Sequence, residues 1–575
     1  MGSKYTIGID FGSLSVRAVL FSVEDGRQAG EQVSSYARGV METELPDGTL
    51  LPPLSALQDP NDYITSMAEA VKGLVRNSGI PKEDIVGLGV DFTSCSLLAV
   101  DEVGEPLCNQ KRFRDNPHAY VKMWKQHTAS AQADEITRIA KQRGEPFLRR
   151  YGSRILSEWA IPKILETAQK APEVYQAAHC FMEAGDWINC KLTGKQTMNY
   201  CMAGLKFLWD PSRGYPPDAF FEALDPSAKE LVRKKLCPES EIYPLDVRIG
   251  SLTREGAALT SLAPGTAVAP ARIDAHSASA AVGVNTPGKL VMIIGTGMGM
   301  TLLSRREVCF KGMCGVSYGA VIPGLYGYEA GLSGCGDIFG WCAQNCVNES
   351  LEKEAGEKQL SVLELLTQKA SCLRAGENGL LALDWWNGNR SVLADTKLSG
   401  VLLGLTLQTK PEDIFRAVLE ATGFSARMIV DNFAGHGLEV NEICAVGGIA
   451  QKNNLLMQIY ADILNRDIRV AGCSQACALG SAIFAAAAAG RSRGGYDTLD
   501  EAISSMHCRE GTVYHPDPQS VRQYEVLFQE FRSLHDYFGR GGTQVLNHLY
   551  RIKGDAGNEN RREDNEADRL SGKGI

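Results

Sequence analysis

Apolar residues in this chain recur in one pattern that occurs twice. Each copy is a strand-length apolar run, a turn of glycine and hydroxyl residues, and a second apolar run. The first is Ile7-Gly8-Ile9-Asp10-Phe11-Gly12-Ser13-Leu14-Ser15, which predicts strands over 5–10 and 16–22. The second is Ile293-Ile294-Gly295-Thr296-Gly297-Met298-Gly299, with a returning strand from Met300 to Leu303. A turn of this kind lets the backbone approach an anion closely and offers it N–H and hydroxyl donors. Two such hairpins facing each other across a cleft would hold the phosphates of one nucleotide. Asp10, at the tip of the first strand, would then sit beside a divalent metal, an arrangement that points to phosphoryl transfer.

The pattern between and beyond the hairpins predicts further elements. A strand from Ile85 to Asp91 runs into Phe92-Thr93-Ser94-Cys95, and Leu97 to Asp101 reads as a hairpin return with its turn at Val103-Gly104-Glu105. Helical period dominates 115–235, with Trp124, Trp159 and Trp187 on apolar faces. Pro264-Gly265-Thr266 turns the chain before Ala267 to Ala269. Arg272-Ile273-Asp274-Ala275-His276 then leads into a small-residue helix, Ser277 to Ala281. A turn around Asn285-Thr286-Pro287-Gly288 divides the chain into an N-terminal domain, 1–284, and a C-terminal domain, 285–550. The second domain holds a strand over Asn441 to Val446 that ends in Gly447-Gly448, and a helix from about Asn453 to Leu464. A strand from Ile468 to Val470 and a helix from Ala476 to Ala489 follow, the Ala-rich end of that helix reading as tightly packed core. A single long amphipathic helical stretch is predicted over 518–550. Residues 551–575 form a charged tail, with disorder expected from 554 onward. The two halves share a hairpin-first α/β layout, so the architecture reads as duplicated.

Composition narrows the partners. A chain of 575 residues with 44% hydrophobic positions builds two full cores. The net charge of −9 argues against nucleic acid as the main partner. The 16 cysteines are scattered, with Cys342/Cys346 and Cys473/Cys477 at the spacing of a helix face and no zinc-type knuckle. They read as buried free thiols in a reducing cytoplasm. No stretch has the length and apolarity of a membrane span, and the N-terminus enters a strand directly.

Several residues carry candidate chemistry, each with a plainer alternative. Asp10 is a metal ligand or caps its own turn. Asp274, between a short apolar strand and a small-residue helix, is a base for a sugar hydroxyl or a helix cap. Gly447-Gly448 admit a flat base or simply make a tight turn, and Asn453 offers an amide to an adenine edge. Lys206 holds a substrate hydroxyl or the transferred phosphoryl group, or snorkels at the surface. Glu329, in Tyr326-Gly327-Tyr328-Glu329-Ala330-Gly331, binds a polyol or is a paired structural carboxylate.

Together these segments resemble the FGGY family of carbohydrate kinases in the actin-like ATPase superfamily, and within it the ribulokinase branch. The resemblance runs from Tyr5 to about Arg551. Its specific segments are Gly89-Val90-Asp91-Phe92-Thr93, Pro117-His118-Ala119-Tyr120-Val121-Lys122-Met123-Trp124-Lys125 and Ser157-Glu158-Trp159. Others are Pro323 to Gly331, Leu383-Asp384-Trp385-Trp386-Asn387-Gly388-Asn389-Arg390 and Leu455 to Asp462. It implies two RNase H-like domains flanking a deep cleft, with ATP mainly on the second and the sugar mainly on the first. By position, Asp274 would be the catalytic base. Gly12, Ser13 and Ser15, with Arg17 beside them, would form the first phosphate hairpin, and Asp10 would hold Mg2+. Gly295, Thr296 and Gly297 would form the second hairpin. Gly447, Gly448 and Asn453 would line the adenosine site, while Ser94, Lys206, Asp274 and Glu329 would surround the ketose.

The implied reaction transfers the γ-phosphoryl group of ATP to the 5-hydroxyl of L-ribulose, in arabinose catabolism. A homodimer is a family-level expectation. Two departures from the family pattern stand out. Gly297-Met298-Gly299-Met300 replaces a Ser-Thr-Cys-His type run, and Val16 stands where glycine is common. Other readings stay open: a sister kinase for D-ribulose, xylulose, ribitol or glycerol, or an actin-like ATPase that uses no sugar.

Overall fold

The computed structural model describes residues 2–236 and 241–552. Among these residues two seven-stranded sheets carry the architecture. In the first sheet, β1 (Tyr5–Phe11) and β2 (Ser15–Ser22) form the predicted hairpin, and β3 (Gln28–Ser35) continues it antiparallel. Parallel to β1 on its other side lies β4 (Ile85–Phe92), in a register that sets Asp91 beside Asp10. The sheet is completed by β5 (Gly250–Ser251), β6 (Ala267–Val268) and β7 (Arg272–Ile273), the last two both parallel to β4. Pro270 falls between them, where a residue with no N–H interrupts the ladder. Helix α1 (Asp274–Ala281) follows directly on β7.

The second sheet repeats this plan. Its strands are β8 (Lys289–Ile294), β9 (Met298–Ser304), β10 (Gly315–Tyr318), β11 (Tyr326–Leu332), β12 (Glu442–Val446), β13 (Ile468–Ala471) and β14 (Gly511–Tyr514). The order β3-β2-β1-β4-β6 in the first sheet reappears as β11-β9-β8-β12-β13 in the second, with the same antiparallel and parallel senses. The hairpin-first duplication expected from the pattern is thus present in topology, although little sequence is shared.

In each half the last parallel strand delivers a helix: α1 after β7, and the helix Ala476–Ala489 after β13. After β12 come α2 (Gly448–Lys452) and α3 (Asn454–Leu464), and α4 spans Ala476–Ala489. Helix α4 lies on the first sheet so closely that a Cβ at Gly8 or Gly89 would overlap the carbonyls of Ala478 or Ser481. The same helix crosses α1, where a Cβ at Gly480 would overlap the Ser277 carbonyl. Small residues at the contact positions of this helix, Ala478, Gly480, Ser481 and Ala485, permit that approach.

Some expectations need correction. Leu97–Val100 is a strand but not a hairpin return from β4. It pairs instead with Val121–Lys122 and Cys180–Glu183 in a separate four-stranded sheet, because the Thr93–Ser96 turn, with Cys95 at φ +57°, throws the chain out of the first sheet. Those two strands also interrupt the mainly helical region, and Trp124 sits just after Val121–Lys122, not on a helix. The helix predicted over 518–550 is interrupted: α5 (Pro518–Gly539) stops before Gly541-Gly542, and a second helical segment runs over 545–552. Cys473 lies in the turn before α4, so it does not share a helix face with Cys477. The tail expected to be disordered lies outside the described residues.

Candidate active site

The first hairpin closes through the Gly12 N–H donating to Ser15 O at 3.0 Å, with Leu14 exposed at its tip. Trp124 Nε1 donates to Ser13 Oγ at 3.1 Å and Gln58 Nε2 donates to Ser13 O at 2.9 Å, so the turn is braced from the side. In the second hairpin Gly295 N–H donates to Gly297 O at 2.9 Å. Its rear is braced by Cys335 N–H to Thr296 O at 2.8 Å and Gly336 N–H to Gly295 O at 3.0 Å. Gly295 and Thr296 stay exposed at the tip. In this hairpin Met298 and Met300 point into the core, and a Cβ at Gly299 would make only an ordinary contact, 3.7 Å from that of Ala275.

The paired glycines pack behind this hairpin. Gly447 adopts φ +104°, and a Cβ there would overlap Ile294 O, whereas Gly448 is open. Asn453 caps α3 by accepting from Leu456 N–H at 2.9 Å through Oδ1, which leaves Nδ2 as its donor.

Three carboxylates converge where the two sheets meet. Asp10 Oδ2 accepts from Arg17 Nη1 at 3.0 Å. Asp91 is fully buried, with Oδ2 accepting from Ser481 Oγ at 2.6 Å and Oδ1 unpartnered. Asp274 is the first residue of α1, and its Oδ1 accepts from Ala275 N–H at 2.6 Å, so it is not the helix N-cap. Burial, then the nearby Asp10, pushes the Asp274 carboxyl up to about 7. The same two causes hold Asp91 well above the ordinary carboxylate range.

Lys206 ends the helix Tyr200–Lys206 and is buried, its side chain only 1% exposed, which removes the snorkelling alternative. Its Nζ donates to Glu329 Oε2 at 2.6 Å and lies 5.7 Å from the centre of the Trp159 ring. Arg390 Nη2 donates to the other oxygen of Glu329 at 2.7 Å. Burial opposes the charge on Glu329, but Lys206 and then Arg390 overcome it and bring the carboxyl down to about 2. Glu329 is therefore a paired carboxylate, and both Lys206 and Glu329 act electrostatically on Asp274. Ser94 lies half-buried in the turn after β4, and the buried Lys163 fixes that turn by donating to Cys95 O at 2.7 Å and Met123 O at 2.9 Å. On α1, burial lowers His276 to about 4, and it sits 3.2 Å from Cys201 Sγ.

The candidate residues thus fall into three groups: two hairpins with the Gly447 turn, the carboxylates, and the Lys206–Glu329 pair whose charges act on Asp274, with Ser94 in the turn after β4. Asp91, Trp159, Lys163 and Arg390 are site or supporting residues whose roles local sequence reading missed. Asp91 had a signal, since Gly89-Val90-Asp91-Phe92 repeats the pattern of Gly8-Ile9-Asp10-Phe11, and the two phenyl rings stack at 4.6 Å. Arg390 had one only in the resemblance, and Lys163 had none.

Residues 5–283 match the N-terminal domain of the FGGY family of carbohydrate kinases, and 290–489 match its C-terminal domain. A ribulokinase of Halalkalibacterium halodurans is 49% identical over 554 residues, 96% of this chain and 98% of that one. A ribulokinase of Geobacillus thermodenitrificans is 48% identical over 96% of this chain and 97% of its own length. Among solved structures, a xylulose kinase from Rhodospirillum rubrum superposes with a TM-score of 0.75 at 22% identity, covering 95% of this chain and all (100%) of that one, which fixes the fold. The chain belongs to the FGGY family of carbohydrate kinases, with its two-domain actin-like fold.

Proposed function

We propose that this chain is an ATP-dependent sugar kinase that phosphorylates L-ribulose at its 5-hydroxyl, giving L-ribulose 5-phosphate and ADP. The observation that carries the substrate is the near-full-length identity of 48–49% to relatives named ribulokinases. The product would enter the breakdown of L-arabinose. Cys95, Cys201, Cys314, Cys335 and Cys444 carry free thiols, which suits a cytoplasmic enzyme, and no described helix is long and apolar enough to cross a membrane.

In this reading the hairpin turns at Gly12–Ser15 and Gly295–Gly297, with Arg17, hold the ATP phosphates, and Gly447, Gly448 and Asn453 line the adenosine. Ser94, Lys206 and Glu329 bind the ketose and present its terminal hydroxyl to Asp274. Asp274 accepts the hydroxyl proton as the oxygen attacks the γ-phosphorus, and ADP leaves with the electron pair of the broken P–O bond. The work of the protein is positioning and electrostatics, and closure of the cleft keeps water from the γ-phosphate.

The carboxylates fit a divalent cation. Asp91 Oδ1 is a buried acceptor without a hydrogen-bond partner, and the nearby Asp10 raises the proton affinity of both Asp91 and Asp274. Among the described residues no three or more His, Cys, Asp or Glu could hold a metal alone, which suits Mg2+ bound chiefly through phosphates and water. Asp10 would hold it, and when bound it would neutralise charge on the phosphates.

The test is a coupled ADP-release assay with L-ribulose, D-ribulose, D-xylulose, ribitol and glycerol, and a blank without sugar. Preference for L-ribulose supports the reading. Preference for another polyol would move the error to the Lys206 and Glu329 pocket, and sugar-independent ADP release would overturn the kinase.

A further inference from the structure

The Lys206–Glu329–Arg390 cluster joins two halves of the molecule. Lys206 comes from the N-terminal part, while Glu329 on β11 and Arg390 in the Trp385–Arg390 loop come from the C-terminal part. Each oxygen of Glu329 takes one cation, so its carboxylate plane is fixed from both sides. Lys206 is a flexible point charge; Arg390 is a planar fork and sets direction.

Arg390 is itself held firmly. Its neighbour Asn389 exchanges backbone hydrogen bonds of 2.8 Å with Asp395 and accepts from Leu393 N–H at 2.9 Å. On the other side, Ser391 Oγ accepts from Gly331 N–H at 3.2 Å, which ties the loop to the strand that bears Glu329. Arg390 Nε is buried and has no partner among the described residues.

We propose that Arg390 is a positioning residue for the sugar, holding the Glu329 carboxylate in the orientation that meets the ketose hydroxyls. The inference rests on the placement of the sugar against Lys206 and Glu329. If Lys206 alone held Glu329, the carboxylate could rotate about its side chain, and the hydroxyl array of one stereoisomer would be matched less well.

The experiment compares Arg390→Met, Arg390→Lys, Glu329→Gln and the Glu329→Gln/Arg390→Met double variant with the wild type. It reads the KM for L-ribulose and for ATP, L-ribulose binding by calorimetry without nucleotide, and the melting temperature. Arg390→Met should raise the sugar KM and weaken sugar binding by about tenfold or more, with the ATP KM within about twofold of wild type. Arg390→Lys should recover part of the loss. The double variant should fall short of the product of the two single effects. An unchanged sugar KM in Arg390→Met, an equal rise in both KM values, or multiplicative effects would overturn the role. Should Arg390→Met fail to fold, Arg390→Lys decides: a sugar KM equal to wild type with weakened ATP use would contradict the proposal. A wrong substrate assignment is separable, because it appears in the wild type, and the variants are then read on the polyol that the wild type uses.

Discussion

Gly480 of α4 lies against the carbonyl oxygen of Ser277 on α1, at the crossing of the two helices that end the two repeated sheets. Asp274 heads α1, and Ser481 on α4 donates to Asp91 while sharing a 2.9 Å hydrogen bond with Ser277. The crossing therefore fixes the carboxylates relative to both sheets. Gly480→Ala should push the helices apart. Overpacking of this kind costs about 1–3 kcal/mol or more, and the chain should melt at a lower temperature with reduced turnover. A variant with wild-type melting and turnover would show that the crossing has slack.

Lys206→Ala removes one cation from Glu329 and empties a buried position beside Trp159. The sugar KM should rise by about tenfold or more while the ATP KM stays close to wild type. Steady-state kinetics with each substrate varied checks this. A change confined to the ATP KM would place Lys206 on the nucleotide side.

Gly447→Ala acts on the other lobe. At φ +104°, with Ile294 O in the way, a methyl group shifts the turn behind the second hairpin. ATP affinity should fall, measured by nucleotide titration, with sugar binding retained. Equal weakening of both ligands would point to unfolding of the lobe.

The pH dependence follows from Asp274. Burial, then Asp10, raises its carboxyl from 3.8 to about 7, and only the ionised form accepts a proton. With ATP saturating, kcat/KM for sugar should rise with pH through about 7 and level off above it. The same shift lowers stability as pH rises from about 4 to about 7, because the folded state holds this proton more tightly than the unfolded chain. A flat kcat/KM profile from pH 5.5 to 8 would contradict the assignment.

Much of this was legible in the chain because it rests on short-range pattern. The two hairpins, the strand before Gly447 and the small-residue helix α4 follow from apolar period and glycine placement. What the pattern did not reveal depends on partners far away in sequence. Leu97–Val100 left the first sheet because of one turn with Cys95 in a left-handed conformation. The exclusion of Lys206 from solvent depended on Glu329, 123 residues later. Arg390, in a polar loop, gained meaning only once β11 was placed beside it.

The most direct test of the account is Asp274→Asn, measured for turnover with L-ribulose and for ATP binding on the same preparation. The substitution keeps the shape and removes the base. Turnover should drop by about 100- to 10,000-fold while ATP affinity stays within a few-fold of wild type. Turnover near the wild-type value would contradict Asp274 as the group that accepts the hydroxyl proton.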